Sequence, residues 1–253
     1  MRRLAIALIT AACSSGCGSP GGGPATPGST TVTPASGATA TGSTPASTTN
    51  AVPPVSPEAG AVGFVDVRTA VPNAIIDLRY STSNNFLHAP LYPADARCLV
   101  HESMAPGLAA AAGALHQGEA LVFWDCYRPH DVQVRMFQAV ADPNWVARPG
   151  QYSRSHEAGR SVDVTIANAQ EQCPPGNRLG SQCLTDMGTD FDEFSSRANA
   201  FATQDVSETE QANRARLREV MGTGGLTPYS GEWWHFDGPA ANVERPIINV
   251  PVN

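Results

Sequence analysis

The feature that most limits what this chain can fold into is a change of composition near residue 62. Residues 18–61, opening GSPGGGPATPGSTTVTP, consist largely of Gly, Pro, Ser, Thr and Ala with almost no aromatics. Such a stretch cannot bury enough apolar surface to offset the entropy lost on ordering, so it reads as a disordered linker. That leaves residues 62–253 for one domain of ordinary size. The net charge of −7 and the scattered Lys and Arg argue against a nucleic-acid partner, which would need clustered cations.

Ahead of the linker, MRRLAIALITAACSSGCGS pairs two arginines with an apolar run from Leu4 to Ala12. The run is too short to span a bilayer, so residues 1–17 read as an export signal. Small residues lead into Cys13 and again into Cys17, a pattern that resembles a bacterial lipoprotein signal. The expected location is therefore periplasmic or extracytoplasmic, with a lipid anchor on one of these cysteines; an ordinary cleaved signal is the alternative. Export makes disulfides permissible. Cys98, Cys126, Cys173 and Cys183 allow three pairings. The short Pro/Gly loop CPPGNRLGSQC favours Cys173–Cys183, which leaves Cys98–Cys126.

The folded part mixes strands and helices without a regular βαβ alternation or a GxGxxG loop. IIDLRY and ALVFWDCY read as strands. SMAPGLAAAAGALHQG reads as a helix capped by Ser103 and stopped by Gly118. Pro129 suits the first turn of a helix running to about Val140. SETEQANRARLREVMG opens with a capping box, Ser207 to Glu210, and ends at Gly222. The class is α+β: a small, mainly antiparallel sheet with packed helices.

Three segments carry candidate chemistry. In SHEAGRSVDVTI, Val162, Val164 and Ile166 alternate with Ser161, Asp163 and Thr165, the period of a half-buried strand with Asp163 on its polar face. Gly159 lets the chain turn, so that His156 and Asp163 can converge on one cation, and N/O ligands of this kind suit zinc. In GEWWHF, His235 is a third ligand and Glu232 a base. On a regular strand those two would face opposite ways. The segment must therefore carry a bulge or a strong twist, or Glu232 must precede the pairing. In WDCYRPHD, Arg128 at a strand end could hold negative charge on a carbonyl oxygen. His88, His101, His116 and His130 read as ordinary surface or core histidines.

In the order LRYSTSNNF, WDCYRP, SHEAGRSVD, MGTDFDEF and GEWWHF, these segments resemble the zinc D-alanyl-D-alanine dipeptidases, from Phe64 to the C-terminus. The resemblance implies a D,D-peptidase/hedgehog-like zinc fold with one Zn²⁺ per chain on His156, Asp163 and His235. It further implies Glu232 as catalytic base, Arg128 at the oxyanion and Asp192 on the substrate's free amine, with Tyr80 and Ser155 near the pocket. The implied partner is D-Ala-D-Ala or a related small peptide. The chain departs from the family at Arg154, where a serine is usual two residues before the first histidine. Either Ser153 or Ser155 takes its place, or the substrate carboxylate is recognised differently. Ser161 replaces the usual alanine, the Cys173–Cys183 loop lengthens one connection, and LYPADARCLV drifts from the pattern. Two other functions are compatible with these residues: a D,D- or L,D-carboxypeptidase acting on peptidoglycan stems, and a non-catalytic lipoprotein that binds wall peptides.

Overall fold

The computed structural model describes residues 51–169 and 172–253. The expected export signal with Cys13 and Cys17, and the linker as far as residue 50, lie outside the described residues. The last part of the expected linker is folded. Pro57–Ala61 form a short helix, α1, capped by the Ser56 hydroxyl, and Ala59 is fully buried. Arg97 fastens this entry by donating to the carbonyls of Pro53 and Pro54. Linker composition therefore runs several residues into the domain, because one buried alanine and a cap suffice to dock a Pro-started turn.

Beyond α1 come strands β1 (Phe64–Asp66), β2 (Ile75–Ile76) and β3 (Leu99–His101), helix α2 (Ala105–Gly113) and strand β4 (Glu119–Asp125). Helix α3 (His130–Ala139) and strands β5 (Ser161–Asn168), β6 (Arg178–Leu179) and β7 (Gln182–Leu184) follow. Helix α4 (Glu208–Thr223) and strands β8 (Thr227–Pro228) and β9 (His235–Asp237) complete the order. The architecture is α+β with a mixed sheet. β1 and β3 form a small antiparallel pair, and the main sheet runs β2-β4-β5-β7-β6 with β9 on β5 and β8 on β9. Its one parallel pairing is β2 with β4; the others are antiparallel.

Several expectations shift at element ends. IIDLRY is strand only at Ile75–Ile76, after which Arg79–Ser81 coil into a 3-10 turn that carries Tyr80. The alanine helix ends at Gly113, short of Gly118, and His101 caps the turn before it by accepting from Ser103 N. Pro129 stands at the cap of α3, one residue ahead of its first turn. The Ser207–Glu210 capping box forms as read.

β5 is the strand on which the site depends. Val162, Val164 and Ile166 enter the core, but Ser161, Asp163 and Thr165 are buried too. The strand expected to be half-buried is therefore buried on both faces. β5 pairs with β4 along one edge and with β9 at its start, where Asp163 lies opposite both Asp125 and His235. Register thus sets three polar side chains in one row across three strands. A bulge at Trp124 of β4 brings Asp125 into that row. The Cys98–Cys126 disulfide ties the residue before β3 to the residue after β4, and Cys173–Cys183 closes the β6–β7 hairpin region.

Gly159 ends the 3-10 turn Ser155–Ala158 with φ 61°, and a Cβ there would lie 2.6 Å from the Phe64 ring. Left-handed backbone costs a non-glycine residue roughly 1–2 kcal/mol, and overpacking a further 1–3 kcal/mol. Gly159→Ala is expected to lower stability by about 2–5 kcal/mol, read as a fall in the urea midpoint at an unchanged slope.

Candidate metal centre

His156 sits on the 3-10 turn that Gly159 terminates, Asp163 on β5, and His235 at the first residue of β9. All three are buried. His156 Nε2 and His235 Nδ1 are 3.0 Å apart, and each is 3.2 Å from Asp163 Oδ1. Atoms bound tetrahedrally at about 2.0–2.1 Å from one zinc lie roughly 3.3 Å from each other, so the triangle has the size of a coordination face.

The outer nitrogens determine which atoms point inward. His156 Nδ1 lies 2.8 Å from the Cys126 carbonyl, which can only accept, so Nδ1 donates and Nε2 keeps its lone pair. His235 Nε2 lies 3.1 Å from Asp237 Oδ1 and donates in the same way, which leaves the Nδ1 lone pair free. Carbonyl and carboxylate partners of this kind are the usual supports of metal-binding imidazoles. Asp163 Oδ1 is buried without a hydrogen-bond partner. Two lone pairs and an orphaned carboxylate oxygen in one buried triangle need a cation, and this donor set fits zinc.

Without a metal, the cation is a proton. Burial opposes charge on His235, but the Asp163 and Asp237 carboxylates beside it outweigh burial and hold the ring up at about 10. Burial also opposes charge on Asp163, yet the His156 and His235 rings keep its carboxyl below the ordinary range.

Glu232 precedes β9, and so the third of the expected solutions to its geometry applies. Its Oε2 is 3.7 Å from His235 Nδ1. The flanking Trp233 is buried, with its indole N–H on Thr189 Oγ1 and its backbone N–H on the Ala198 carbonyl. Burial, with Asp163 adding to it, raises the Glu232 carboxyl above its usual pKa against the pull of His235.

Arg128 is held by Asp125, whose Oδ2 accepts from Nε at 2.9 Å and from Nη2 at 2.6 Å, and by Gln133 Oε1 at 2.7 Å. Its guanidinium reaches 3.9 Å from Asp163 Oδ2 and lies over the Tyr80 ring. Asp125 is fully buried and also accepts from Tyr92 OH and Cys126 N. Asp125, Gln133 and Tyr92 had no role in the sequence reading. Asp125 stands inside the quoted WDCYRP, three residues from Arg128, and that spacing was the available signal; Tyr92 lies in the LYPADARCLV stretch.

Asp192 accepts from Tyr80 OH at 2.9 Å, so these two expected pocket residues meet. Burial, with Asp163 and Glu232 nearby, raises the Asp192 carboxyl well above its usual value despite the Tyr80 hydrogen bond. Ser155 also lines the cavity, its hydroxyl donating to Ser161 Oγ at 2.8 Å. The cavity encloses about 300 Å³ and contains all eight expected site residues. Phe86, Phe194 and Trp145 form an aromatic wall that the sequence reading did not assign, with Trp145 stacked on Phe194.

A buried two-histidine, one-aspartate cluster beside a glutamate, opening into a small cavity, is the arrangement of a metallopeptidase. The chain belongs to the peptidase M15 family, whose model, described as D-ala-D-ala dipeptidase, matches residues 60–253. It is 34% identical to the D-alanyl-D-alanine dipeptidase of Escherichia coli K12 over 179 residues, 70% of this chain and 86% of that protein. Identity is 29% over 194 residues to the protein of the same name from Enterococcus faecium, covering 69% of this chain and 91% of the relative. The Enterococcus faecalis protein of that name is 25% identical over 63% of this chain and 83% of its own length.

With His235 protonated below about 10, zinc must displace a proton to enter. Apparent zinc affinity is expected to rise about tenfold per pH unit between roughly pH 6 and 8, measured by competition with a chelator of known affinity.

Proposed function

We propose that this protein hydrolyses the D-alanyl-D-alanine dipeptide, using one zinc ion held by His156, Asp163 and His235. The observation that carries this reading is the buried triangle of inward lone pairs with Glu232 beside it. Zinc, when bound, polarises a carbonyl and acidifies a water. Glu232, raised by burial, takes the proton of the attacking water and returns it to the departing amine. Arg128 stays charged, because Asp125 holds it in place, and stabilises the negative oxygen that develops on the carbonyl. Asp192 receives the substrate ammonium. Burial and the neighbouring Asp163 and Glu232 raise its carboxyl, and a bound ammonium would favour its ionised form.

Asp192 is also what favours a dipeptidase over a carboxypeptidase acting on longer stems. A buried acid aimed at a free amine loses its partner once that amine is acylated, whereas stem peptides carry an acylated nitrogen at this position. The α+β sheet, with its ligands on β5 and β9, supports assignment to the D,D-peptidase/hedgehog-like fold. The export signal and lipobox-like cysteines support an extracytoplasmic lipoprotein acting in cell-wall peptide turnover, a location in which both disulfides would persist.

The decisive assay is D-Ala-D-Ala hydrolysis by the purified protein with and without a chelator. Activity is expected to vanish on chelation and return with zinc. Glu232→Ala is expected to retain zinc by metal analysis while losing about 10²–10⁴ in kcat. Near-normal turnover in that variant would remove Glu232 from the mechanism. N-acetylation of the dipeptide is expected to abolish most of kcat/KM in the wild type, and Asp192→Asn to shrink the difference between the two substrates. Equal turnover of free and acetylated dipeptide would favour the carboxypeptidase reading.

A further inference from the structure

The aromatic wall of the cavity differs from the other large rings of the protein. Trp124, Trp233, Trp234 and Phe191 are buried. Phe86 and Phe194 are only half-buried, Trp145 is 36% exposed, and all three line the cavity. Phe194 lies between the other two, its ring centre 5.1 Å from that of Phe86 and 5.6 Å from that of Trp145. None of the groups assigned to the reaction is apolar, so the wall has no part in the chemistry itself. Rings left facing a cavity gain free energy when an apolar group covers them.

The wall is fixed at both ends to groups that handle the substrate. Trp145 N and Val146 N donate to the Asp142 carbonyl at 3.1 and 2.9 Å, which sets the turn that carries Trp145. Gln133 of α3 fastens this segment to Arg128. Its Nε2 donates to the Ala147 carbonyl at 2.6 Å, and its Oε1 accepts from Arg128 Nη1 at 2.7 Å. At the other end, Phe86 meets the Tyr80 ring at a right angle, 6.3 Å between centres, and Tyr80 OH donates to Asp192. Phe194 follows Asp192 by two residues. The left-handed backbone of Asp192, φ 59°, turns the chain between Phe191 in the core and Phe194 at the cavity. The rings are thus positioned before any ligand enters.

We propose that Trp145, Phe194 and Phe86 form the subsite for the side chain of the substrate's N-terminal residue, and that it takes apolar side chains larger than methyl. The inference rests on the dipeptidase reading, in which Asp192 holds the free ammonium. In a dipeptide the ammonium and the N-terminal side chain branch from one carbon. A side chain whose amine is anchored at Asp192 therefore starts beside the rings tied to that residue. The C-terminal side chain lies beyond the scissile bond, several bonds further from Asp192. A methyl covers little of three rings, whereas a leucine-sized side chain removes more apolar surface from water.

The test uses the full zinc-loaded protein with D-Ala-D-Ala, D-Leu-D-Ala and D-Ala-D-Leu. The wild type is expected to cleave D-Leu-D-Ala with a kcat/KM within about tenfold of that for D-Ala-D-Ala, or better. Trp145→Ala should lower the D-Leu-D-Ala to D-Ala-D-Ala ratio about tenfold, mostly through KM, and Trp145→Phe should restore most of it. The D-Ala-D-Leu to D-Ala-D-Ala ratio should move less. Calorimetric titration of D-Leu-D-Ala into Glu232→Ala, with and without Trp145→Ala, reads the same loss as Kd, free of turnover. A wild type that cleaves D-Ala-D-Ala and rejects D-Leu-D-Ala overturns the subsite and leaves the dipeptidase reading standing. So does a Trp145→Ala effect that falls on D-Ala-D-Leu instead, or an unchanged ratio with an unchanged Kd. A wild type that neither binds nor cleaves any of the three overturns both.

Discussion

Everything at this site follows from the way two imidazoles spend their outer N–H groups. Once His156 donates to the Cys126 carbonyl and His235 to Asp237, the remaining nitrogens can present only lone pairs, and both face Asp163 Oδ1. Three electron-rich atoms cannot remain together in a buried space without a positive charge among them. The demand for a cation is thus built by residues that never touch it. Glu232, Arg128 and Asp192 draw their electrostatic character from the same crowded region, which is why burial and neighbouring acids raise both Glu232 and Asp192.

The supports of Arg128 extend this logic outward. Asp125 accepts from four donors: Tyr92 OH, Cys126 N, and Nε and Nη2 of Arg128. A buried carboxylate so fully satisfied is a fixed counter-charge, and it holds the guanidinium in one orientation over the Tyr80 ring. Tyr80 in turn carries the hydrogen bond to Asp192. A chain of contacts therefore joins the group that steadies a developing oxyanion to the group that receives an amine.

Much of this was legible in the residues, and the reasons are specific. Alternation in SVDVTI placed Asp163 opposite the core valines, and Gly159 marked the turn that folds His156 back toward it. The capping box at Ser207 is local chemistry and formed where it was read. What sequence periodicity could not convey was depth. The polar face of β5 is as buried as its apolar face, which alternation along one strand does not encode. Glu232 precedes its strand, one of the three solutions expected for it, whereas the bulge at Trp124 on β4 had no signal in the sequence and only the pairing register reveals it. Tyr92 and Gln133 escaped notice because their partners are set by tertiary contact rather than by spacing. IIDLRY misled because strand propensity is shared by residues that coil into a turn once packing requires it.

The row formed by Asp125, Asp163 and His235 has one more implication, which concerns misfolding. A slip of β5 by a single residue would turn Asp163 into the apolar layer and swing Val162 and Val164 out of it. A slip of two residues would keep the valines inside but part Asp163 from Asp125 and His235. Hydrophobic sorting therefore acts as a first gate for chemistry here: it fixes the face that Asp163 occupies, and the pairing with β4 and β9 then brings the row together.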